Sequence, residues 1–258
     1  MKKTALIDGD IIVYRISYSN KPKESTEAFS TNGMIERTLD DVKGDVDNFM
    51  KFIRDETGCT HFTGFLSAPR KTTFRTLLAT IREYKGNRKK GDLPPFFNEI
   101  KEYLQSEYGF IKSESYEADD LLASYQSQAE ESETIICSID KDLLQVPGLH
   151  WNWNHNETTN VSNEDAVEML WEQAITGDAT DNIEGIPKVG IKTAQKILNP
   201  WEQVHYPGVV QAAYIEKFGL NEGIQRFTEN FRLVYLLRDL EVTEEPRPFY
   251  KAPQVELL

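Results

Sequence analysis

Short apolar runs closed by an aspartate, separated by helical stripes, constrain this chain more than any other feature. Thr4-Ala-Leu-Ile-Asp8 is apolar until its final acid, the pattern of a buried strand that carries Asp8 at its carboxyl end. His61-Phe-Thr-Gly-Phe65-Leu66 predicts a second strand, and Thr134-Ile-Ile-Cys-Ser-Ile139-Asp140 a third that also ends in an acid. Between the first two, Leu39, Val42, Val46, Phe49 and Ile53 recur at helical spacing and stop near Gly58. Ala118, Leu121, Leu122, Tyr125 and Ala129 give another stripe before the third strand. The alternation predicts an α/β fold with a mainly parallel sheet. Ligands of such sheets bind outside the carboxyl ends of the strands, where Asp8 and Asp140 fall. Asn32-Gly33 adds a hairpin-type turn.

The character of the chain changes near residue 176. Gly177, Gly185 and Gly190 come within 14 residues, followed by short helical patterns over 209–218 and 224–237. This divides the chain into a larger α/β unit over 1–175 and a smaller helical unit over 176–258, whose tail runs extended from Glu244. A length of 258 residues accommodates one core with a small satellite. Cys59 and Cys137 match no metal-ligand spacing, so two buried thiols in a reducing, cytoplasmic setting are expected. The apolar run after Met1 is broken by Asp8, too short for a signal peptide or a membrane span. A monomer without membrane association is the expectation, in host cytoplasm if the gene is a phage's.

Acids recur where this fold would gather them: Asp8-Gly9-Asp10, Glu117-Ala118-Asp119-Asp120, Asp140-Lys141-Asp142, and Asp178 with Asp181 in Gly177-Asp-Ala-Thr-Asp-Asn182. On a helix Glu117 and Asp120 share a face and Asp119 is turned away. Asp140 and Asp142 project to one side of an extended chain. Carboxylates packed this closely repel one another unless protons or cations intervene. Oxygen donors without cysteine and with little histidine select Mg²⁺ or Mn²⁺ over zinc. Two such ions roughly 4 Å apart can activate a water and stabilise the departing oxygen of a phosphodiester. Acids in the first turn of a helix also serve its dipole, and Asp178 and Asp181 also suit loop or capping positions.

The net charge of −13 argues against nucleic acid until its distribution is considered. Arg70, Lys71, Arg75, Arg82, Lys85, Arg88, Lys89 and Lys90 face only Glu83, giving +7 over 21 residues. Such a segment can neutralise phosphates locally. Tyr84 within it either stacks on an unpaired base or belongs to the core. Ile183-Glu-Gly185-Ile-Pro-Lys188-Val-Gly190-Ile-Lys192-Thr-Ala194 resembles a helix–hairpin–helix element. Its glycines allow a tight turn, and free N–H groups at the following helix start can hold a phosphate, with Lys188 and Lys192 adding charge. An ordinary turn between helices has the same glycines.

Taken together, Asp8-Gly9, Phe74-Arg75, Tyr84-Lys85-Gly86-Asn87-Arg88, Glu117-Ala118-Asp119-Asp120, Asp140-Lys141-Asp142-Leu143-Leu144-Gln145 and Gly177-Asp178-Ala179-Thr180-Asp181-Asn182 look like the 5′-nuclease family. That family comprises flap endonucleases, bacteriophage 5′→3′ exonucleases and the N-terminal domain of bacterial DNA polymerase I. The resemblance runs in family order from Asp8 to about Leu198. It implies a Rossmann-like PIN-type catalytic domain over 1–175, with a short helical arch, and a helix–three-turn–helix DNA-binding domain over 176–258. It further implies Mg²⁺ or Mn²⁺, two ions in all: one group at Asp8, Glu117, Asp119 and Asp140, with Asp120 in the same motif, and a second through Asp142, Asp178 and Asp181. Lys85 and Arg88 would be the catalytic cations at the scissile phosphate. Arg75, Arg82, Tyr84, Lys188, Gly190 and Lys192 would join them in contacting DNA. A potassium ion would lie near the main-chain carbonyls of Ile175, Thr176, Glu184, Ile186 and Val189. The implied activity is hydrolysis at free 5′ ends, nicks and flaps of DNA. A junction-binding relative without catalysis and a PIN-type ribonuclease are the alternatives.

Two departures stand out. Where the family ends its second strand with a metal-ligating aspartate, this chain has Ser67-Ala68-Pro69, and Ala68 binds no metal. Asp10 is the acid available to compensate. Only 28 residues separate Arg88 from Glu117, which predicts an open clamp rather than a long threading arch.

Overall fold

The computed structural model describes residues 3–18, 37–88, 93–130, 132–242 and 246–249. The Asn32-Gly33 turn, Lys89 and Lys90 lie outside them. Strand β1 (Thr4–Asp8) is buried along its whole length. It pairs in parallel with β2 (His61–Leu66) on one side and β4 (Thr134–Cys137) on the other. β3 (Ile111–Lys112) extends the sheet beyond β2, and β5 (Gly148–Asn152) extends it beyond β4, both in parallel. Two strands are antiparallel: β6 (Glu157–Val161) beside β5, and β9 (Arg247–Pro248) beside the start of β2. The chain leaves β1 towards β2 on one side and later returns to β4 on the other. The strand order therefore reverses at β1 and β4, and a crevice opens at their carboxyl ends.

Side chains alternate across β1, so each face finds its own core. Ala5 and Ile7 pack with α1 (Gly9–Ser17), α2 (Leu39–Thr57) and α4 (Phe97–Tyr108) through Ile12, Val46, Ile53 and Leu104. Leu6 packs on the other face with α5 (Ala118–Gln128) through Leu122, along with Phe65, Ile136 and Leu143. α1 starts directly from β1, and a Cβ on Gly9 would lie 2.5 Å from the Phe65 carbonyl oxygen, so only glycine permits that approach. α2 begins with a Thr38–Asp41 capping box and stops at Gly58 with φ 65°, as the periodicity predicts.

A third core lies beyond the sheet. α6 (Asn163–Thr176), α7 (Ile191–Leu198), α8 (Tyr206–Phe218) and α9 (Leu220–Val234) close around Leu170, Trp171, Ala174, Leu198, Val210, Tyr214 and Leu233. Between α6 and α7 a small antiparallel pair, β7 (Gly177–Asp178) and β8 (Ile183–Glu184), forms the glycine hairpin. Tyr84 belongs to this core as well. Much of the interval between Arg88 and Glu117 is α4, whose Phe97, Ile100 and Leu104 are buried against the sheet layer. From Ala79 to Arg88, beyond the short helix α3 (Phe74–Leu78), the chain runs in turns without a helix. Of the tail expected to run extended, only residues 246–249 are described: Arg247–Pro248 form β9, the Phe249 amide donates to the Thr60 carbonyl at 3.2 Å and its ring lies 4.8 Å from that of Phe62.

Candidate active site

Asp8 closes β1 and caps α1, accepting the Ile11 amide at 3.3 Å and the Ser138 hydroxyl at 2.8 Å. Burial first, and Asp10 second, push its carboxyl up to about 7. Asp140 follows β4 and accepts the Asp142 amide at 2.9 Å. Asp119 is raised by burial and then by the charges of Asp8, Asp140 and Glu117. Burial and Asp140 push Asp142 up to about 7 beside Asp178. Burial alone would raise Asp178 too, but its bonds to Asp142 and to the amides of Thr180 and Asp181 bring it below the usual range. The two neighbours are thus pushed in opposite directions, Asp142 up and Asp178 down.

Six acids, Glu117, Asp119, Asp140, Asp142, Asp178 and Asp181, line one cavity of about 110 Å³, with Lys85 and Arg88 at its wall. Asp8 lies behind it, near enough to Asp119 and Asp140 for mutual repulsion. Among the described residues no three acidic, histidine or cysteine side chains stand close enough together to hold a metal ion as they are placed. The residues nonetheless fit a hard divalent cation. All donors are carboxylate oxygens, Asp142 Oδ1 is buried without a partner, and Asp8, Asp119 and Asp142 are raised by burial and mutual repulsion that a cation would relieve.

The cations are not idle. Lys85 Nζ donates to Glu117 and lies 3.5 Å from Asp181, and the Arg88 guanidinium donates to Asp181 at 2.8 Å. Burial would raise Glu117, but Lys85 and then Arg75 hold it below the usual carboxylate range.

Several expectations need correction. Arg75 does not reach DNA: it is 2% exposed, and its guanidinium is spent on Asp120, Glu117 and the carbonyls of Leu233 and Tyr235. Asp120 is correspondingly no cavity ligand, since both its oxygens face Arg75 and it is wholly buried. Tyr84 does not stack on a base. It is buried, and its hydroxyl lies 2.8 Å from Glu117 and 2.7 Å from Asp181. Arg82 is half exposed and paired with Glu184 at 2.7 Å. Asp10, the acid available to compensate at Ala68, accepts the Ser67 amide at 3.0 Å, and Lys101 Nζ lies 3.2 Å from its other oxygen.

In the hairpin, Lys188 and Lys192 are exposed, and Lys188 adopts φ 66°. Gly190 supplies no side-chain cap to α7, so the first-turn amides of Ile191 and Lys192 have none. The carbonyls expected at a potassium site carry internal bonds already: Ile175 accepts Ile186 N at 2.7 Å, Ile186 accepts Val189 N at 3.1 Å, and Glu184 accepts Asn230. Thr176, Glu184, Ile186 and Val189 do line a common cavity of about 320 Å³. Sequence reasoning missed Ser138 on Asp8 and Glu229 on the Thr80–Ile81 amides, because neither contact leaves a spacing signal.

Carboxylates gathered at the switch point of a parallel sheet, with cations and a glycine hairpin beside them, define a chain of the 5′-nuclease class. Residues 3–172 match the family described as 5′-3′ exonuclease, N-terminal resolvase-like domain, and the chain belongs to that family. DNA polymerase I of Bacillus subtilis is 31% identical over 79% of this chain and 24% of its own. The 5′-3′ exonuclease of Buchnera aphidicola is 27% identical over 77% of this chain and 71% of its own. The bacteriophage T5 flap endonuclease, solved as a pseudo-enzyme–product complex with DNA and metal ions, shares the fold over 90% of this chain and 86% of its own, with a TM-score of 0.59 at 15% identity. The chain spans about a quarter of the length of the polymerase it matches, 24%.

Proposed function

We propose that this chain is a divalent-metal-dependent nuclease that hydrolyses phosphodiesters at 5′ ends and flaps of DNA without reading sequence. The observation that carries the reading is the single acidic cavity at the ends of β1 and β4, walled by Lys85 and Arg88. Asp8, Glu117, Asp119 and Asp140 would hold one Mg²⁺ or Mn²⁺, and Asp142, Asp178 and Asp181 a second. Bound there, the ions supply Lewis acidity and an acidified water. Lys85 and Arg88 transfer from Glu117 and Asp181 to the scissile phosphate, orienting it and meeting the charge that develops on it. Arg82, Lys188, Lys192 and the α7 start at Gly190 hold the duplex backbone, a contact that positions without specifying sequence. Main-chain carbonyls around the hairpin cavity would take a potassium ion. Tyr84 and Arg75 support Glu117 from within and touch no DNA.

The test is a 5′-flap duplex with Mg²⁺, comparing the protein with Asp119→Ala. Cleavage by the first and a loss of about a hundredfold or more in the second are expected. Equal cleavage by both refutes the site. The alanine at position 68 favours a second reading, a junction binder without catalysis, and binding of the flap with no cleavage by the unaltered protein would select it.

A further inference from the structure

We infer that Glu229 is a positioning residue for the Lys85–Arg88 loop, and that it ties this loop to the helical hairpin unit. The inference rests on the nuclease reading above. Glu229 sits on α9 and is 7% exposed, yet among the described residues no cation lies within ion-pair distance of it. Its partners all come from the start of the loop. One oxygen accepts the Thr80 amide at 2.9 Å and the Ile81 amide at 2.8 Å, and the other accepts the Thr80 hydroxyl at 2.5 Å. A buried carboxylate satisfied only by neutral donors depends on those donors staying in place. The loop and the helix therefore hold each other.

Further backbone ties lead to the same unit. Asn182 Nδ2 donates to the Glu83 carbonyl at 2.8 Å, and the Lys85 amide donates to the Asp181 carbonyl at 2.8 Å. The Asn87 amide group donates to the Ala179 carbonyl at 2.6 Å, while Arg70 holds the Tyr84 carbonyl from the other side. Lys85 is held at φ 54°, a left-handed conformation that a lysine keeps only when its surroundings impose it. Glu229 does not line the acidic cavity, so it acts on the phosphate only through the loop. The same helical unit that would grip the duplex at Lys188 and Lys192 thus sets where Lys85 and Arg88 stand. Duplex grip and charge placement are one mechanical body.

The experiment measures flap cleavage in Mg²⁺ and, separately, amide hydrogen exchange of the loop without metal or DNA. Glu229→Ala is expected to lower kcat by about ten- to a hundredfold with KM nearly unchanged, because the hairpin lysines are untouched. Its Thr80–Arg88 amides should exchange faster. Glu229→Gln keeps an oxygen for the two amides and should restore both readouts. Thr80→Ala removes only the hydroxyl bond and should shift both in the same direction by less, which serves if Glu229→Ala does not fold. Normal kcat and normal loop protection in a folded Glu229→Ala overturn the inference. So does a Gln variant as deficient as Ala, which would assign the effect to charge rather than placement. If the unaltered protein cleaves no flap, the nuclease reading falls, while loop exchange still decides whether Glu229 anchors it.

Discussion

The guanidinium of Arg75 grips both oxygens of Asp120, at 2.6 and 2.8 Å, where neither side chain is more than 2% exposed. The remaining donors reach Glu117 and the carbonyls of Leu233 and Tyr235, so one side chain joins α3, α5 and the end of α9. Arg75→Met leaves Asp120 charged and buried without its partner. Breaking one side of such a pair costs about 3–5 kcal/mol, and urea unfolding should show a correspondingly lower midpoint. Arg75→Lys should rescue little of it, since an ammonium cannot reproduce the planar fork.

That pair also marks where sequence reasoning reached its limit. The strands, the acids at their ends and the α2 and α5 stripes are legible because burial imposes a period on residue type. Helical spacing puts Glu117 and Asp120 on one face and turns Asp119 away, although the family resemblance places Asp119 with Glu117 at the metal. Instead Glu117 is the N-cap of α5, outside the helical turn, and Asp120 reaches back to the Glu117 amide at 3.3 Å and forward to Arg75. Asp119 takes the place facing Asp8 and Asp140. Helical geometry alone does not say which side of α5 looks into the crevice; the arginine 45 positions away decides it. The charge of Arg75 suits DNA contact, and the ring of Tyr84 suits a base or the core equally. Only the packing of α9 against α3 reveals that both are internal.

Asp10 offers a sharp check on the missing aspartate at position 68. Its carboxylate is engaged by the Ser67 amide and by Lys101, and it does not line the acidic cavity. Asp10→Asn should therefore change Mn²⁺ affinity in a calorimetric titration only slightly, through its charge on Asp8, and far less than Asp8→Asn does. The folded protein should lose about 1 kcal/mol, the worth of a charge-assisted contact partly open to water. A large fall in metal affinity would restore Asp10 as the compensating ligand.

Lys85 and Glu117 give a prediction with two opposite signs. Lys85 sits on the very carboxylate that the metal would need. Removing its charge in Lys85→Met takes away a competitor, so Mn²⁺ should bind more tightly. Cleavage should nevertheless fall by about a hundred- to a thousandfold, because the donor to the scissile phosphate is gone. Arg88 is 47% exposed and bound to Asp181, so Arg88→Ala should lose turnover chiefly through kcat. Weaker metal binding in Lys85→Met, or a pure rise in KM for Arg88→Ala, would contradict the exchange of partners proposed here.

The proton load of the acids sets a pH dependence whose sign can be worked out. Asp8 and Asp142 are both pushed up to about 7, and Asp119 and Asp140 are raised as well. In the unfolded chain the same acids ionise near about 4. Their contribution to stability is thus full below about pH 4 and is lost as pH rises through about 7. Glu117 and Asp178 are lowered, so theirs is present above the unfolded values and lost only as pH falls through still lower ones. Buried His150, held below its usual value by burial, opposes the raised acids in the same window, but it is one group against four, so between about pH 5 and about pH 8 the acids set the slope. In chelator the melting temperature should therefore fall across that interval. Mg²⁺ binds the ionised carboxylates and only the folded state, so it should raise the melting temperature strongly at about pH 8 and hardly at about pH 5. Asp8→Asn removes one raised acid and should flatten the slope in chelator. A metal-free protein that grows more stable across this range would show that these acids do not share one cavity.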